Sequence, residues 1–223
     1  MMEEPAAKEL APGRVTRLAR QKKDPYRVSL YLDGAFAFGM HQDLILEFEI
    51  VKGIELDVET QRRIIRRDEV HRARSRAIGL LAYRARSSAE LRRRLLRYDY
   101  AEESVDEAIE KIREAGLIDD AAFARDYAHA RFANKGYGPA RVRSELIARG
   151  VPRSAIDQAI DEAFSDHEAI AEAALAFAQK RQPSLQREAD PLKRRKKLFD
   201  ALRRRGFPTD VIGKVIAETL SDD

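Results

Sequence analysis

Residues 136–160 read GYGPARVRSELIARGVPRSAIDQAI. Apolar residues recur four positions apart on both sides of the Gly150-Val151-Pro152 break, a spacing that places them on one face of an α-helix. Gly150 can supply the left-handed backbone that ends a helix, and Pro152 suits the first turn of the next one. The stretch therefore predicts two amphipathic helices joined by a sharp break. The spaced apolar residues are Val142 and Leu146 before the break, and Ile156 and Ile160 after it.

The same pattern occurs three times. The break reads Asp99-Tyr100-Ala101 in the first copy and Gly206-Phe207-Pro208 in the third, and Asp adopts the left-handed conformation at modest cost. Each copy follows another helical segment, so we expect a mainly α fold of three tandem three-helix repeats that stack into an elongated, curved array. The matching apolar residues are Leu91, Leu95, Val105 and Ile109, 51 residues earlier, and Leu198, Leu202, Ile212 and Ile216, 56 residues later.

The repeats are expected to occupy residues 57–117, 118–165 and 166–223. In the first repeat the helices should run from Asp57 or Val70 to Ala85, Ser88 to Arg97 and Glu102 to Ala115. In the second they should run from Asp120 to Asn134, Pro139 to Arg149 and Arg153 to Phe164. In the third they should run from His167 to Lys180, Pro191 to Arg205 and Thr209 to Leu220, with a loop over Gln182 to Asp190.

The segment before the repeats has a different pattern. Residues 14–56 are predicted to form a small β region, with a hairpin centred on Asp33-Gly34 because both residues tolerate positive φ. Residues 1–13 are predicted to be a disordered tail. A short helix is expected from Asp43 to Phe48. The hairpin should place Val28, Leu30 and Leu32 on one face, Phe36, Phe38 and Met40 together on the return strand, and Val15 and Leu18 on a third strand.

The residues that catalysis or metal binding would need are missing or scattered. The chain has no Cys, and His41, His71, His129 and His167 have no neighbouring His at ligand spacing. No glycine-rich phosphate loop occurs. We therefore expect a non-enzymatic protein with no cofactor and no metal site. No run of 18 apolar residues is present, so no membrane span is expected, and we expect a cytoplasmic location.

Charge is distributed in blocks along the chain. The net charge is +4, but residues 62–97 carry +10, residues 98–130 carry −7 and residues 179–207 carry +8. The second helix of each repeat is basic and the third is acidic, so a stacked array should carry a basic ridge that fits a polyanionic partner. The expected partner and nucleic-acid contacts are Arg92, Arg93, Arg97, Arg131, Lys135, Arg141, Arg143, Arg149, Lys193, Arg194, Arg195, Lys197, Arg203 and Arg204.

Several motifs resemble those of the RecX family of regulatory proteins. They are Gly116-Leu117-Ile118-Asp119-Asp120 with Phe123, Lys135-Gly136-Tyr137-Gly138-Pro139 with Glu145-Leu146, Arg86-Ser87-Ser88-Ala89-Glu90-Leu91, and Tyr31-Leu32-Asp33-Gly34 with Phe36. The resemblance extends from about Arg14 to Leu220 and implies three tandem three-helix repeats. It also implies that the protein binds in the groove of the RecA–DNA filament and inhibits or modulates ATP hydrolysis, strand exchange and repressor self-cleavage by RecA.

The residues themselves leave alternatives open. The helical units are similar to helix-turn-helix domains, so a direct DNA-binding regulator is one alternative. The second helices of this chain, however, carry few of the Asn, Gln, Ser and Thr side chains that read bases. Contact with single- or double-stranded DNA should therefore be weak and non-specific. A scaffold whose acidic helices bind basic partners is another alternative. We expect a monomer.

Overall fold

The computed structural model describes residues 10–220. Most of the predicted disordered tail, residues 1–13, therefore lies outside the described residues, and Gly13 already begins the first strand. The chain divides into two compact units. The first contains the residues up to Tyr83 together with Arg92–Leu117, and the second contains Arg84–Leu91 together with the residues from Ile118 onward. No helix among the described residues is both long enough and apolar enough to span a bilayer.

The first unit begins with a four-stranded antiparallel sheet. Strands β1 (Gly13–Arg20), β2 (Arg27–Leu32), β3 (Ala35–His41) and β4 (Glu55–Leu56) lie in the order β3-β2-β1-β4. Asp33 and Gly34 both have positive φ, 48° and 84°, which confirms the predicted hairpin turn. The short helix α1 (Asp43–Glu47) follows β3. The two-residue strand β4, which pairs with the start of β1, was not predicted.

Burial confirms the predicted pattern of strand β2 and corrects part of the prediction for strand β3. Val28, Leu30 and Leu32 are buried, as expected for alternate positions of one strand. Met40 is also buried, but Phe36 is 47% exposed, so the prediction that Phe36 shares a face of the return strand with Met40 is wrong. The register shifts where Phe36 pairs with Tyr31, and this bulge turns the start of β3 away from the core.

Helix α2 (Val58–Tyr83) begins near the first of the two starting points that the sequence allowed. The Thr60 backbone N–H donates to Asp57 Oδ1 over 2.7 Å, as an N-cap requires. This hydrogen bond lowers the pKa of the Asp57 carboxyl. Buried Gln61 donates from Nε2 to the Leu56 carbonyl oxygen, 3.1 Å away, and thereby fixes the start of the helix against β4.

The remaining helices follow the predicted order, in three-helix repeats. The breaks confirm the alignment of the repeats, because Asp99, Gly150 and Gly206 all have left-handed backbone, with φ of 58°, 74° and 89°. The first repeat is α2, α3 (Ser88–Leu96) and α4 (Glu102–Glu114); the second is α5 (Asp120–Lys135), α6 (Pro139–Ala148) and α7 (Arg153–Ala163); the third is α8 (His167–Leu185), α9 (Pro191–Arg205) and α10 (Thr209–Thr219).

One predicted boundary is wrong. The loop expected over Gln182 to Asp190 is shorter, because α8 continues to Leu185 with Pro183 in its last turn. Leu185 is 5% exposed and packs in the core of the second unit, and this burial favours the extra helical turn despite the hydrogen bond that a proline removes. Asp190 then caps α9 by accepting from the Leu192 and Lys193 backbone N–H groups.

Within the second unit, equivalent joints link successive second helices. The Gly138 N–H, at the start of α6, donates to the Arg205 carbonyl oxygen at the end of α9, over 2.9 Å. At the equivalent place one repeat earlier, Ser87 Oγ donates to the Arg149 carbonyl oxygen over 2.6 Å. In both joints, a donor at the start of a second helix binds a carbonyl group at the end of the second helix of the next repeat. That carbonyl group has no partner within its own helix.

Candidate partner and nucleic-acid interface

The predicted basic residues occur in both units. Arg92 and Arg93 lie on α3, with Arg97 just beyond its end, in the first unit. The others belong to the second unit. Arg131 and Lys135 lie on α5, Arg141 and Arg143 on α6 with Arg149 at its C-cap, and Lys193, Arg194, Arg195, Lys197, Arg203 and Arg204 on α9.

Two of these arginines form ion pairs with the acidic helix that follows them. Arg92 Nε lies 2.6 Å from Asp106 Oδ1, and Arg92 also pairs with Glu102. Arg143, 51 residues later, pairs in the same way with Asp157, which is 51 residues after Asp106. The hydrogen bonds to Asp106 and Glu102 raise the pKa of Arg92, and the bond from Arg92 lowers the pKa of Asp106. The charges of Arg92 and Arg143 are therefore balanced within their own repeats.

A second group of predicted arginines surrounds Glu145 on α6. Arg131 Nε and Arg141 Nε each lie 3.0 Å from a Glu145 carboxylate oxygen, and the Tyr127 hydroxyl donates to Glu145 over 2.6 Å. The Arg131 Nε–H is not directed at any acceptor, so this contact is an ion pair without a hydrogen bond from that atom. Arg149 stacks over the Tyr127 ring at 4.5 Å. One carboxylate thus serves two arginines.

The electrostatics of Glu145 follow from this arrangement. Burial alone would raise the pKa of Glu145, but hydrogen bonds from Tyr127 and Arg141, together with the charges of Arg131 and Arg141, lower it below its ordinary value. Burial raises the pKa of Tyr127, and its hydrogen bond to Glu145 acts in the same direction. Glu145 is therefore ionised at neutral pH and holds the cluster together.

Tyr137 lies between two arginines in the turn before α6. The Arg141 and Arg205 guanidinium groups are 5.1 Å and 5.2 Å from its ring centroid. Arg205 also lies 4.3 Å from the Phe177 ring and donates to the Lys135 carbonyl oxygen. These cation–π contacts fix Arg205 beside the joint between the repeats.

Helix α9 differs from the other two second helices. Its buried side carries Leu198, Ala201 and Leu202. At the positions that Arg143 and Asp157 hold in the second repeat, the third repeat has Phe199 and Gly213, so it lacks that ion pair. The exposed side carries a row of cations, which we call the α9 face: Lys193, Lys196, Lys197, Arg203 and Arg204.

Few carboxylates balance the α9 face. Lys193 pairs at 3.9 Å with Asp190, and Lys197 pairs at 2.5 Å with Glu188, whose pKa this hydrogen bond lowers. Within residues 10–220, Lys196, Arg203 and Arg204 form no ion pair. The same holds, within this range, for the exposed side chains of Arg97, Lys135 and Arg195. Arg93 and Arg194 do make interactions within the chain. The positive charge of the second unit that is least balanced therefore lies on α9.

Sequence reasoning missed parts of this surface. Lys196 and Arg205 belong to the same basic run but were not selected, and Glu145 was not recognised as a shared acceptor. Tyr127, with Phe123 and Phe132, has core spacing and does pack against the core of the second unit, but its hydroxyl and ring also serve the arginines. The repeated 14-residue separation of Arg92 from Asp106 and Arg143 from Asp157 is the signal that could have revealed the ion pairs.

The fold brings together two histidines that are 30 residues apart in sequence. The rings of His41 and His71 stack with centroids 4.5 Å apart and planes inclined by 9°. Donor atoms of His41, Asp43 and His71 lie within 4.8 Å of one another, close enough to consider a metal ion. Imidazole lone pairs lie in the plane of the ring, however, so two parallel stacked rings cannot both point at one ion as they stand. The geometry therefore disfavours a shared metal.

The family comparisons match most of the described fold. Residues 13–57 match the model of the regulatory protein RecX N-terminal domain. Residues 73–111, 119–160 and 168–216 match the first, second and third three-helix domains of RecX. These matches assign the sheet and each of the three repeats to one family.

Whole-chain similarity gives the same assignment. The regulatory protein RecX of Bacillus velezensis is 30% identical, over 92% of this chain and 77% of the relative. That of Clostridium acetobutylicum is 29% identical, over 94% and 97% respectively. A crystal structure of regulatory protein RecX is 28% identical, with a TM-score of 0.78, and the match covers 95% of this chain and all of that one. The chain belongs to the RecX family of regulatory proteins.

Proposed function

We propose that this protein regulates homologous recombination and DNA repair by binding the RecA–DNA filament and inhibiting or modulating its ATPase and strand-exchange activities. The observation that carries the proposal is the α9 face, where Lys196, Arg203 and Arg204 are exposed and unpaired among the described residues. Cations without internal partners can neutralise the phosphates or carboxylates of a polyanionic assembly without first breaking an ion pair. The protein would act as a regulator and not as a catalyst.

The α9 face is long enough to make several contacts with a partner. Lys193 and Arg204 are eleven residues apart, which corresponds to roughly 16 Å along a helix axis. Lys135 lies beside the end of α9, because Arg205, the last residue of that helix, donates to the Lys135 carbonyl oxygen. Several weak contacts with a repeating partner would act together as one multivalent clamp. Such a clamp would restrain the subunit movements that ATP turnover requires.

The remaining predicted contacts take two roles in this proposal. Arg92 and Arg143 position α3 and α6 against their following helices, and Arg131, Arg141 and Arg149 form the Glu145 cluster. Both groups would keep their internal contacts when a partner binds. Because these charges are already balanced, they should contribute less to binding than the α9 face. We also propose that the protein works as a monomer in the cytoplasm.

A direct DNA-binding regulator remains the second candidate, because the α9 face would also suit a duplex groove. The deciding experiment measures the ATPase rate of RecA on single-stranded DNA as this protein is added, and compares it with binding to the same DNA without RecA. Inhibition well below the concentration that coats the DNA would support the filament-directed regulator. Inhibition only at saturation of the bare DNA would instead support the DNA-binding candidate.

Variants make the same assay specific for the α9 face. Arg203→Glu with Arg204→Glu should weaken inhibition at least tenfold, since each reversal replaces an attraction by a repulsion. Arg153→Glu with Arg187→Glu is the matched control, because both are exposed arginines of the same unit outside α9. Inhibition by the wild-type protein should also fall steeply with salt. Equal losses in both variants, or insensitivity to salt, would remove the α9 face from the mechanism.

A further inference from the structure

The first unit contains a cavity that the proposed interface does not use. Its volume is about 610 Å³, and it lies between α2 and the end of the sheet. One wall is formed by Arg27 and His41, and Asp24 and Tyr100 also line the cavity. The opposite wall and floor are two adjacent rows of one face of α2: His71, Ser75 and Gly79, and Arg72, Arg76 and Leu80.

The floor of this cavity is low because Ser75 and Gly79 are small. Ser75 has a short side chain, and a Cβ placed on Gly79 would meet no atom within 4 Å. From His71 to Gly79 the floor extends over eight residues, roughly 12 Å of helix. The result is an open trough with room for a group larger than one water molecule.

The lining of the trough is net positive, because it contains three arginines, Arg27, Arg72 and Arg76, and one carboxylate, Asp24. The Asp68 side chain is 6% exposed and accepts from both terminal nitrogens of Arg27 at 3.0 Å and from the His41 backbone N–H at 2.8 Å. Asp24 accepts from the Tyr26 backbone N–H at 3.0 Å. The Arg72 Nε atom lies 3.3 Å from Asp68 Oδ2, so Arg72 shares this carboxylate with Arg27.

Arg76 adds a further cation, because it forms no ion pair within residues 10–220. Its guanidinium lies 4.7 Å from the centroid of the Tyr98 ring, which holds it in place without neutralising it. Arg72 is similarly placed near the Tyr100 ring, at 5.8 Å. Two arginines one helical turn apart therefore line the same wall, and planar guanidinium groups are suited to bidentate contacts with phosphate.

Aromatic rings complete the site. Tyr26, His41 and His71 form a column of parallel rings, with 6.3 Å between the first two centroids and 4.5 Å between the last two. Tyr26 is 61% exposed at the open end of the column. Aromatic faces beside a row of cations are the combination that binds a base together with its phosphate.

We infer that this trough binds the phosphate group of a nucleotide, with Arg72 and Arg76 contacting the phosphate and the histidine–tyrosine column flanking the base. A divalent cation held by His41, Asp43 and His71 fits the trough less well, because the two imidazole rings are parallel and the ion would lie near Arg72 and Arg76. The inference concerns a different unit from the α9 face and does not depend on RecA. The same chemistry is offered by a free nucleotide and by a single nucleic-acid strand.

The test follows the imidazole proton signals of His41 and His71 by NMR while inorganic phosphate, thymidine monophosphate or an eight-residue oligothymidylate is added to the full-length protein. Each probe should shift both histidines, and the Arg76→Gln variant should bind at least about tenfold more weakly, the loss expected for one charged hydrogen-bond donor. Arg66→Gln is the matched control, since Arg66 is an exposed arginine of the same helix outside the trough.

The outcomes distinguish a free nucleotide from a nucleic-acid strand and also test the inference itself. Per-site affinities that are equal for the mononucleotide and the oligomer support a small-molecule ligand, and a much tighter oligomer supports a bound strand. Equal weakening by Arg66→Gln would mean non-specific charge attraction and would overturn the inference. So would histidine signals that move with zinc ions but not with phosphate. Loss of RecA inhibition by α9 variants has no bearing on this result.

Discussion

Gly138 packs directly against Gly206, and neither position has room for a side chain. A Cβ on Gly138 would lie 2.4 Å from the Gly206 carbonyl oxygen, and a Cβ on Gly206 would lie 2.2 Å from the Arg141 nitrogen. These are backbone atoms of two helix ends that also exchange hydrogen bonds. The joint between the second and third repeats therefore requires glycine on both sides.

The Gly138→Ala variant should lose about 1–3 kcal/mol of unfolding free energy, because the added methyl group forces the two helix ends apart. Urea-induced unfolding monitored by circular dichroism measures the loss. Gly213→Ala is the control, since Gly213 lies in α10 with no atom within 4 Å of its Cβ position. Alanine there should stabilise the helix by up to about 1 kcal/mol. A Gly138→Ala protein as stable as the wild type would contradict the close contact.

A double-mutant cycle should detect the ion pair between Arg143 and Asp157. Single and double substitutions to alanine should give a coupling free energy of about 0.2–1 kcal/mol at low salt, the range for exposed ion pairs. The coupling should decrease in 1 M salt, because both side chains are accessible to solvent. The equivalent cycle on Phe199 and Gly213, with Gly213→Ala, supplies a pair without charge. A salt-independent coupling would indicate packing and not electrostatics.

Protonation of His71 should destabilise the protein. Burial lowers the pKa of His71 from 6.5, with further lowering by the charges of His41 and Lys111, although Asp43 and Asp68 act in the opposite direction. The unfolded chain therefore takes up the proton more readily. Stability should be fully present above pH 6.5 and should fall as the pH decreases through the lowered pKa of the folded state. Urea unfolding between pH 7.5 and 5 measures this fall.

The His71→Phe variant tests the assignment of this pH dependence. Phenylalanine keeps an aromatic ring against His41 but cannot take up a proton. Its stability should therefore fall less between pH 6.5 and 5 than that of the wild type. An identical decrease in both proteins would assign the effect to other groups.

Replacing Glu145 by glutamine should destabilise the second unit by about 1–3 kcal/mol, because Arg131 and Arg141 lose their shared counter-charge and Tyr127 loses a charged acceptor. The pKa of Glu145 is lowered, so its contribution is present above about pH 4.5 and is lost as the pH falls through the lowered value. Thermal unfolding at pH 7 and pH 3 measures both effects. Glu172→Gln, an exposed position on α8, should change stability little at either pH.

Much of the helical fold could be predicted because its signals are local. The spacing of Leu91 and Leu95, repeated at Val142 and Leu146, and the glycine breaks at Gly150 and Gly206 each reflect one helix face or one helix end. The prediction failed where tertiary packing competes with a local signal. A loop was predicted from Gln182 onward, but burial of Leu185 extends α8, and a bulge next to Phe36 turns that side chain to solvent.

The candidate surface was less predictable, because charge in a sequence does not reveal its partner. Arg143 and Arg203 are both arginines of basic second helices, but one is paired with Asp157 and the other forms no ion pair among the described residues. The difference depends on where each arginine lies along its helix and on which residue the following helix places beside it. Likewise, His41 and His71 meet only because α2 packs beside β3, a long-range contact that no local pattern encodes.

The side chain of Asp99 limits the addition of a further repeat before the first one. Gly150 and Gly206 are each contacted by the second helix of the repeat before them, with the Ala89 Cβ and the Arg141 backbone in the way of any side chain. Asp99 has the same left-handed backbone but is exposed, with no earlier repeat among the described residues to pack on it. The first repeat thus tolerates a side chain at its helix break, whereas the later repeats require glycine there. Adding another repeat in front would first require glycine at position 99.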